Sequence, residues 1–481
     1  MRRTRREFVI GGAAAGAAAY VALRGTAGTA PSEKPNILMI VVDTLRADHV
    51  NGPLAATPAI DSLVAKGLSF TRVFPEAMPT VPARNSIFTG KRMFPFLDWK
   101  DRRGLIAKPG WIPVEDVDSA FTTVLRRNGY WTAYVTDNPF LGFSYPYEPL
   151  RRSFDVFKRR GGQLGGDPRG VPPATLRHWL HPANGDEKTA ERVSSYIGAA
   201  DYWKDENQSF AARVFSEAIP VLDQAAAQRR PFALVVDTFE PHEPWTPPDR
   251  YLRLNGSQPA HSPEPAMPGY ARVEDWLDPS ERDYVIERMH ALYAAEVTMT
   301  DRWIGELLGR LHELELERET VILLVADHGI FLGERGWTGK ISTALYPELI
   351  NVPLVIVHPD LHRPAESRYL ASTHDIGPTL LSLAGVPVPL TMTGNDLSPI
   401  LHGHAPKPRD FQYGGYTNSH FLRDDRWAYM SDNRLEEPHL YDLSVDPSES
   451  RDLAAERPDV VEELAARVTE EAGGQLPYYP G

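Results

Sequence analysis

Three short apolar runs, each ending in an acid, constrain the fold of this 481-residue chain more than any other feature. Pro35 to Val42 leads into Asp43, Phe232 to Val236 into Asp237, and Val321 to Ala326 into Asp327 and His328. Continuous apolar runs of this length describe strands covered on both faces, as in a doubly wound α/β sheet flanked by helices. Weaker strand candidates run from Trp131 to Val135 and from Val352 to Val357. Sheets of this kind bind ligands beyond the carboxyl ends of their strands. A single acid at a strand end is commonly a turn or cap residue. Recurrence at three strand ends predicts one rim and a shared site.

Helical periodicity is clearest from Asp283 to Leu314, where Val297, Ile304, Leu308 and Leu311 share a stripe. A second helical piece surrounds Ala211–Ala227. The rest of Tyr145 to Gly269 is rich in Pro, Gly and charge, apart from the strand at Phe232, and reads as long loops that shape a site. It contains a basic cluster, Arg151-Arg152 and Lys158-Arg159-Arg160, which is either solvated surface or an anion-facing patch. The texture changes after about Leu390 and ends in a charged closing helix, Pro458 to Glu471. The length suits a large α/β domain, residues 31–390, with a smaller α+β subdomain at 391–481.

Residues 1–30 read as a separate targeting segment. Thr4-Arg5-Arg6-Glu7-Phe8-Val9-Ile10 resembles a twin-arginine export motif, followed by an uncharged Ala/Gly-rich stretch to Leu23 and small residues Gly28-Thr29-Ala30 for cleavage. The apolar run is short for a membrane span, so the expectation is a cleaved signal, no span in the mature chain, and a periplasmic, cell-wall or extracellular location. This segment carries a net +4, so the formal charge of −13 leaves −17 for the remainder. An acidic body argues against nucleic acid or an anionic membrane surface as the main partner. It is compatible with a small anionic substrate where a metal reverses the local sign.

The residues from Thr80 onward supply the chemistry. Thr80-Val81-Pro82-Ala83-Arg84 is followed by Asn85-Ser86-Ile87-Phe88-Thr89-Gly90-Lys91. Pro82 suits a first helical turn and Gly90 a helix stop, which places the Thr80 oxygen at the positive end of a short helix. The stretch resembles the active-site signature of the sulfatase family, in which the first position is a Cys, less often a Ser, oxidised to formylglycine. Here that position is Thr, and the chain has no cysteine. The resemblance extends from residue 35 to about 460. Asp43 matches the family's first acidic strand end, and Asp327-His328-Gly329 its Asp-His/Asn-Gly element.

The resemblance implies a fold like that of alkaline phosphatases and sulfatases and a divalent metal held by Asp43, Thr80, Asp327 and His328. Two carboxylates and an imidazole suit Ca, Mg, Mn or Zn. It also implies that Arg84 supports the nucleophile and the anion, and that Lys340 binds a non-bridging ester oxygen. His242, in Glu240-Pro241-His242-Glu243-Pro244-Trp245, would serve the leaving group. Several positions depart from the family pattern. Thr44 stands where a second acid is common, Thr136-Asp137-Asn138-Pro139 where a Gly-Lys…His pair is usual, and Arg335 where a His is frequent.

The nucleophile separates the possible substrates. Hydrated formylglycine has two oxygens; one takes the sulfate and the other expels it. Thr has one oxygen, so its ester is cleared only by attack at the central atom. That route is ordinary for phosphorus and poor for a sulfate monoester. The expectation is a metal-dependent hydrolase of sulfate- or phosphate-type esters, with Thr80 favouring phosphoester or phosphonate ester hydrolysis. The alternatives are a sulfuric ester hydrolase, a phosphoglycerol- or phosphoethanolamine-type transferase, and a non-catalytic anion-binding protein.

Overall fold

Parallel pairing of the acid-tipped strands builds the centre of the protein. The computed structural model describes residues 34–97, 99–100, 108–141, 148–163, 166–200, 206–259, 263–361 and 363–479. The export-signal reading of residues 1–30 lies outside them. The strands in chain order are β1 (Asn36–Val42), β2 (Leu68–Phe70), β3 (Ala77–Met78), β4 (Trp131–Thr136), β5 (Val156–Arg159), β6 (Phe232–Thr238), β7 (Thr320–Ala326), β8 (Phe331–Leu332), β9 (Thr338–Gly339), β10 (Leu354–Val357), β11 (Ala365–Ser367), β12 (Gln412–Tyr416), β13 (Ser419–Arg423), β14 (Trp427–Asp432) and β15 (His439–Asp442).

The large sheet is mixed, with eight strands in the order β11-β2-β10-β7-β1-β6-β4-β5. Its run β7-β1-β6-β4-β5 is parallel, and β10 is antiparallel to both β7 and β2. The central strands are buried from end to end apart from Asn36 at the start of β1, as near-continuous apolar sequence requires. Register places the acids together: Val42 of β1 lies opposite Thr238 of β6 and Ala326 of β7. Asp43 and Asp327 therefore each stand one residue past paired strand ends, while Asp237 is paired with Val41 and Thr136. Asp137, one residue past β4, joins the same rim.

Helices flank the sheet. Phe210–Ala226 and the long helix Arg282–Glu313 pack together, the former also against β4 and β6. Thr80–Thr89 packs with Ile376–Leu383, which in turn meets Phe121–Arg127. The Tyr145–Gly269 region, expected to be mostly loop, contains three further helices among the described residues, Pro173–Trp179, Glu187–Ala200 and Asp249–Leu254. The second is amphipathic, and its Val193, Tyr196 and Ile197 bury against Phe210 and Met267. Apolar spacing there was masked by the surrounding charge.

The C-terminal sheet has the order β15-β14-β13-β12-β3. Its edge strand β3 comes from far earlier in the chain, ends at Met78, and pairs in parallel with β12. The C-terminal region thus fixes the backbone two residues ahead of Thr80. The closing helix spans Pro458–Glu471 as its sequence indicates. Among the described residues no helix is long and apolar enough to cross a membrane.

Candidate active site

The rim of the parallel strands is closed by a buried ion lattice. Arg84 lies one helical turn after Thr80 on the Thr80–Thr89 helix, so both side chains leave the same face. The Arg84 guanidinium is completely buried. It donates two hydrogen bonds to Asp237, Nε to Oδ2 at 3.2 Å and Nη2 to Oδ1 at 2.8 Å. Its remaining nitrogen donates to Asp327 Oδ2 and lies 3.1 Å from Asp43 Oδ2. One cation therefore faces three buried carboxylates. Tyr134 adds a hydroxyl donor to Asp237 at 2.6 Å. The Arg84 guanidinium, expected to support the substrate anion, has its two-nitrogen edge engaged by Asp237, because β6 carries that acid to the same rim.

The lattice leaves a place for a second cation. Asp43, Asp327 and His328 present ligand atoms within 4.8 Å of one another, all buried. Asp43 Oδ2 and His328 Nε2 receive no hydrogen bond. His328 Nδ1 faces the Gly329 carbonyl at 3.0 Å and must carry the proton there, which leaves the Nε2 lone pair turned toward Asp327 Oδ2, 3.3 Å away. Burial and the charge of Asp327 push the Asp43 carboxyl well above its usual range. Burial opposes charge on Asp327 too, but Arg84 and the His328 ring hold it down at about 2. An excess of buried carboxylate with two orphaned ligand atoms fits a divalent cation.

Thr44, the departure from an acidic pair, is built into this corner. It is a β-branched residue at φ 63°, an outlier worth about 1–3 kcal/mol of strain. Three hydrogen bonds hold it: its N–H donates to Asp327 Oδ1 at 2.9 Å, its hydroxyl to Asp43 Oδ1 at 2.6 Å, and Tyr293 Oη donates to its carbonyl at 2.7 Å. The hydroxyl thus orients a carboxylate instead of supplying another one.

Thr80 is the first residue of its helix and is 3% exposed. Its hydroxyl makes no hydrogen bond with the described residues, whereas Ser86 and Thr89 on the same helix both donate to helix carbonyls. An unengaged hydroxyl at a helix N-terminus, a turn from Arg84, is placed for reaction with an anion.

A second group of residues arrives on loops. His242 follows β6 on a loop pinned by Trp245, whose indole donates to the Pro241 carbonyl at 2.8 Å. Glu240 tethers the same loop to the start of the Phe210–Ala226 helix, accepting from Ala211 N at 2.8 Å. The His242 ring stacks on Phe239 at 4.2 Å, and its Nδ1 donates to the Glu243 carbonyl at 2.7 Å. Nε2 is then an acceptor. Burial, followed by the charges of Lys340 and Arg192, depresses the His242 pKa well below the usual value.

Lys340 follows Gly339, whose φ of 79° and lack of a side chain let Tyr270 lie directly against the backbone. Lys340 Nζ donates to Glu243 Oε2 at 2.8 Å and lies 3.4 Å from the Thr44 hydroxyl. Glu243 is completely buried and also accepts from Tyr270 Oη, with Arg192 3.6 Å from Oε1. Sequence reading missed Glu243 as a site residue; its only signal was an acid beside His242. The basic cluster singled out in the sequence is engaged elsewhere, since Lys158 and Arg160 both pair with Glu217. Arg335 pairs with Glu348 and donates to the Glu449 carbonyl, tying the β8–β9 turn to the C-terminal region.

Comparison with known proteins agrees with this frame. A family profile described as Sulfatase matches residues 35–386, and one described as N-sulphoglucosamine sulphohydrolase, C-terminal, matches residues 333–473. The chain is 31% identical to arylsulfatase K of Rattus norvegicus over 476 residues, covering 90% of this chain and 77% of that protein. It is 26% identical to a choline-sulfatase of Rhizobium meliloti, with 88% and 82% covered. Among solved structures, the phosphonate monoester hydrolase of Agrobacterium radiobacter superposes with a TM-score of 0.67 at 22% identity, covering 91% of this chain and 95% of that one.

Proposed function

The chain belongs to the sulfatase family of ester-hydrolysing enzymes, and within it we propose a hydrolase of phosphate or phosphonate esters that works through a covalent Thr80 ester. The observation that carries this reading is the Thr at the nucleophile position, at a helix N-terminus and with a hydroxyl that makes no hydrogen bond with the described residues. Asp43, Asp327, His328 and the Thr80 oxygen would hold the divalent metal. When bound, that ion supplies charge that favours the Thr80 alkoxide and neutralises the substrate anion.

The chain's own residues account for the rest. Arg84 keeps Asp43, Asp237 and Asp327 together one helical turn from Thr80. Lys340, oriented by Glu243, holds a non-bridging oxygen of the ester. Thr80 Oγ1 attacks the central atom as the bond to the leaving oxygen breaks in line. Thr80 gives up its hydroxyl proton to solvent as it attacks; the entering anion offsets the charges of Lys340 and Arg192, so His242 Nε2 takes up a proton from solvent and delivers it to the leaving oxygen. In the second half the same nitrogen accepts a proton from the attacking water, which displaces Thr80 from the central atom. The names of the curated relatives favour a second reading, sulfate ester hydrolysis, in which water attacks the Thr80 sulfate ester at sulfur.

Initial rates on matched aryl sulfate, phosphate monoester, phosphate diester and phosphonate substrates decide between them. With added divalent metal, turnover of phosphorus esters that disappears in Thr80→Ala, together with a phosphorylated Thr80 found by mass spectrometry, supports the proposal. Turnover confined to the sulfate restores the second reading.

A further inference from the structure

Thr44 departs from the family pattern, and the proposed reaction gives it no part. Its backbone shows what it does. At φ 63° it turns the chain out of β1 through the left-handed region, where a β-branched side chain is crowded. In that conformation its hydroxyl reaches back to Asp43 Oδ1 at 2.6 Å, while its N–H donates to Asp327 Oδ1 at 2.9 Å. Both carboxylates are oriented through their Oδ1 atoms, and Asp43 Oδ2 is left without a hydrogen bond. Relaxing φ to the ordinary region would swing the Thr44 Cβ and carbonyl together. The hydroxyl would then leave Asp43.

Tyr293 is placed to prevent that swing. It lies on the Arg282–Glu313 helix and is completely buried. Its hydroxyl donates to the Thr44 carbonyl at 2.7 Å and accepts the Arg46 N–H at 3.0 Å, so one oxygen bridges the turn. Burial pushes the phenol well above its ordinary range, which keeps the proton on Oη for the carbonyl. Arg46 is a fixed anchor, since its buried guanidinium donates to the Ile330 carbonyl at 3.1 Å and to Glu334 at 2.6 Å. The Tyr293 ring meets His49 edge-on at 4.8 Å and Trp245 at 5.6 Å, and Trp245 pins the loop that carries His242. Those ring contacts need no hydroxyl. Tyr293→Phe therefore removes the two hydrogen bonds and keeps the packing.

We propose that Tyr293 is a positioning residue for the metal site: its hydroxyl holds Thr44 in the left-handed conformation from which Thr44 sets the Asp43 carboxylate for the ion. This rests on the reading that Asp43, Asp327 and His328 hold a divalent metal. Tyr293 touches neither the ion nor the ester, and it acts through the Thr44 side chain.

The test reads metal affinity, which does not depend on turnover. The full chain is stripped with a chelator, and Ca, Mg, Mn and Zn are each titrated calorimetrically. The ion that the parent protein binds most tightly is then used with the variants. Tyr293→Phe is expected to weaken binding about ten- to a hundredfold, the usual effect of losing a group that orients a ligand from outside. Thr44→Gly enters the left-handed region freely but lacks the hydroxyl, and it should weaken binding by a similar factor. The double variant should bind within about threefold of Thr44→Gly alone, because Tyr293 then has no side chain left to position. Losses that multiply in the double variant overturn the proposal, since Tyr293 would be acting by another route. A Tyr293→Phe protein that fails to fold, or whose metal-free urea midpoint drops while its affinity stays within about threefold of the parent, assigns Tyr293 to the core and overturns it too. A parent protein that binds none of the four ions removes the metal reading and this proposal with it, whereas parent binding that Tyr293→Phe leaves unchanged overturns this proposal alone.

Discussion

The strand-borne half of the site and the loop-borne half solve opposite electrostatic problems. At the strand rim, Asp43, Asp237 and Asp327 face a single Arg84, all completely buried, and negative charge is in excess. On the loop side, Lys340 and Arg192 share the single buried Glu243, and positive charge is in excess. The first half calls for a cation and the second for an anion. A metal-bound anionic ester satisfies both at once, which is why neither half is balanced within the chain. The rim is rigid because its residues are register neighbours in a parallel sheet, whereas the loop half is held by individual tethers such as Trp245 and Glu240.

The sharpest way to break the comparison is Arg84→Ala. It leaves three buried carboxylates without their counter-ion, and the expected cost is about 3–5 kcal/mol of folding stability, read from the urea midpoint of the metal-free protein. Adding Asp237→Asn should recover part of the loss, because Asp237 takes two of the Arg84 hydrogen bonds. A midpoint that Arg84→Ala leaves unmoved would show that the rim is not an ion lattice in solution.

On the other side, Lys340→Met should act on rate more than on stability. Glu243 keeps Tyr270 and Arg192, so the expected stability loss is only about 1–2 kcal/mol. The value of kcat/KM should fall about a hundred- to a thousandfold, since the lost charge faces the reacting group. A stability loss as large as that of Arg84→Ala, or a rate loss under about threefold, would mean that Lys340 serves the fold and not the anion.

Legibility in the sequence followed the same division. The rim position of Asp43 and Asp327 is legible because an apolar run ending in an acid announces both the strand and its end; their grouping with His328 as metal ligands rests on the family resemblance. The Thr80 helix was readable from Pro82 and Gly90, and it indeed spans Thr80–Thr89 with Gly90 in the left-handed region. The pairing of Asp237 with Arg84 was not readable, because which acid an arginine faces depends on strand order and not on spacing. Glu243 and Arg192 left no pattern, since a loop and an amphipathic helix from distant parts of the chain bring them together. A charge run is no guide to the site: Lys158 and Arg160 share Glu217, while Lys340 and Arg192, far apart in the sequence, share Glu243. Thr44 was visible as a departure, but its strained backbone and its grip on Asp43 are three-dimensional facts.

The smallest expected effect concerns the tether beneath the loop half. Glu240 caps the Phe210–Ala226 helix, both its carboxyl and that of Glu296 on the long helix are completely buried, and the two interact electrostatically. Burial raises Glu240 to about 7, and burial with the charge of Glu240 raises Glu296 well above its usual range. In the unfolded chain both carboxyls ionise near 4.5. Between roughly pH 4.5 and 7 the folded protein therefore binds more protons than the unfolded one, and stability must fall as pH rises through that window. The pair's contribution is fully present below about 4.5 and diminishes as the folded groups ionise. Glu296→Gln, which keeps the shape and removes one ionisation, should flatten the decline by about 1–3 kcal/mol between pH 5 and pH 8. Urea unfolding of both proteins across that range measures it. Parallel curves would mean that the two carboxyls do not share a proton, and the loop carrying His242 would then be held by the helix-capping bonds of Glu240 alone.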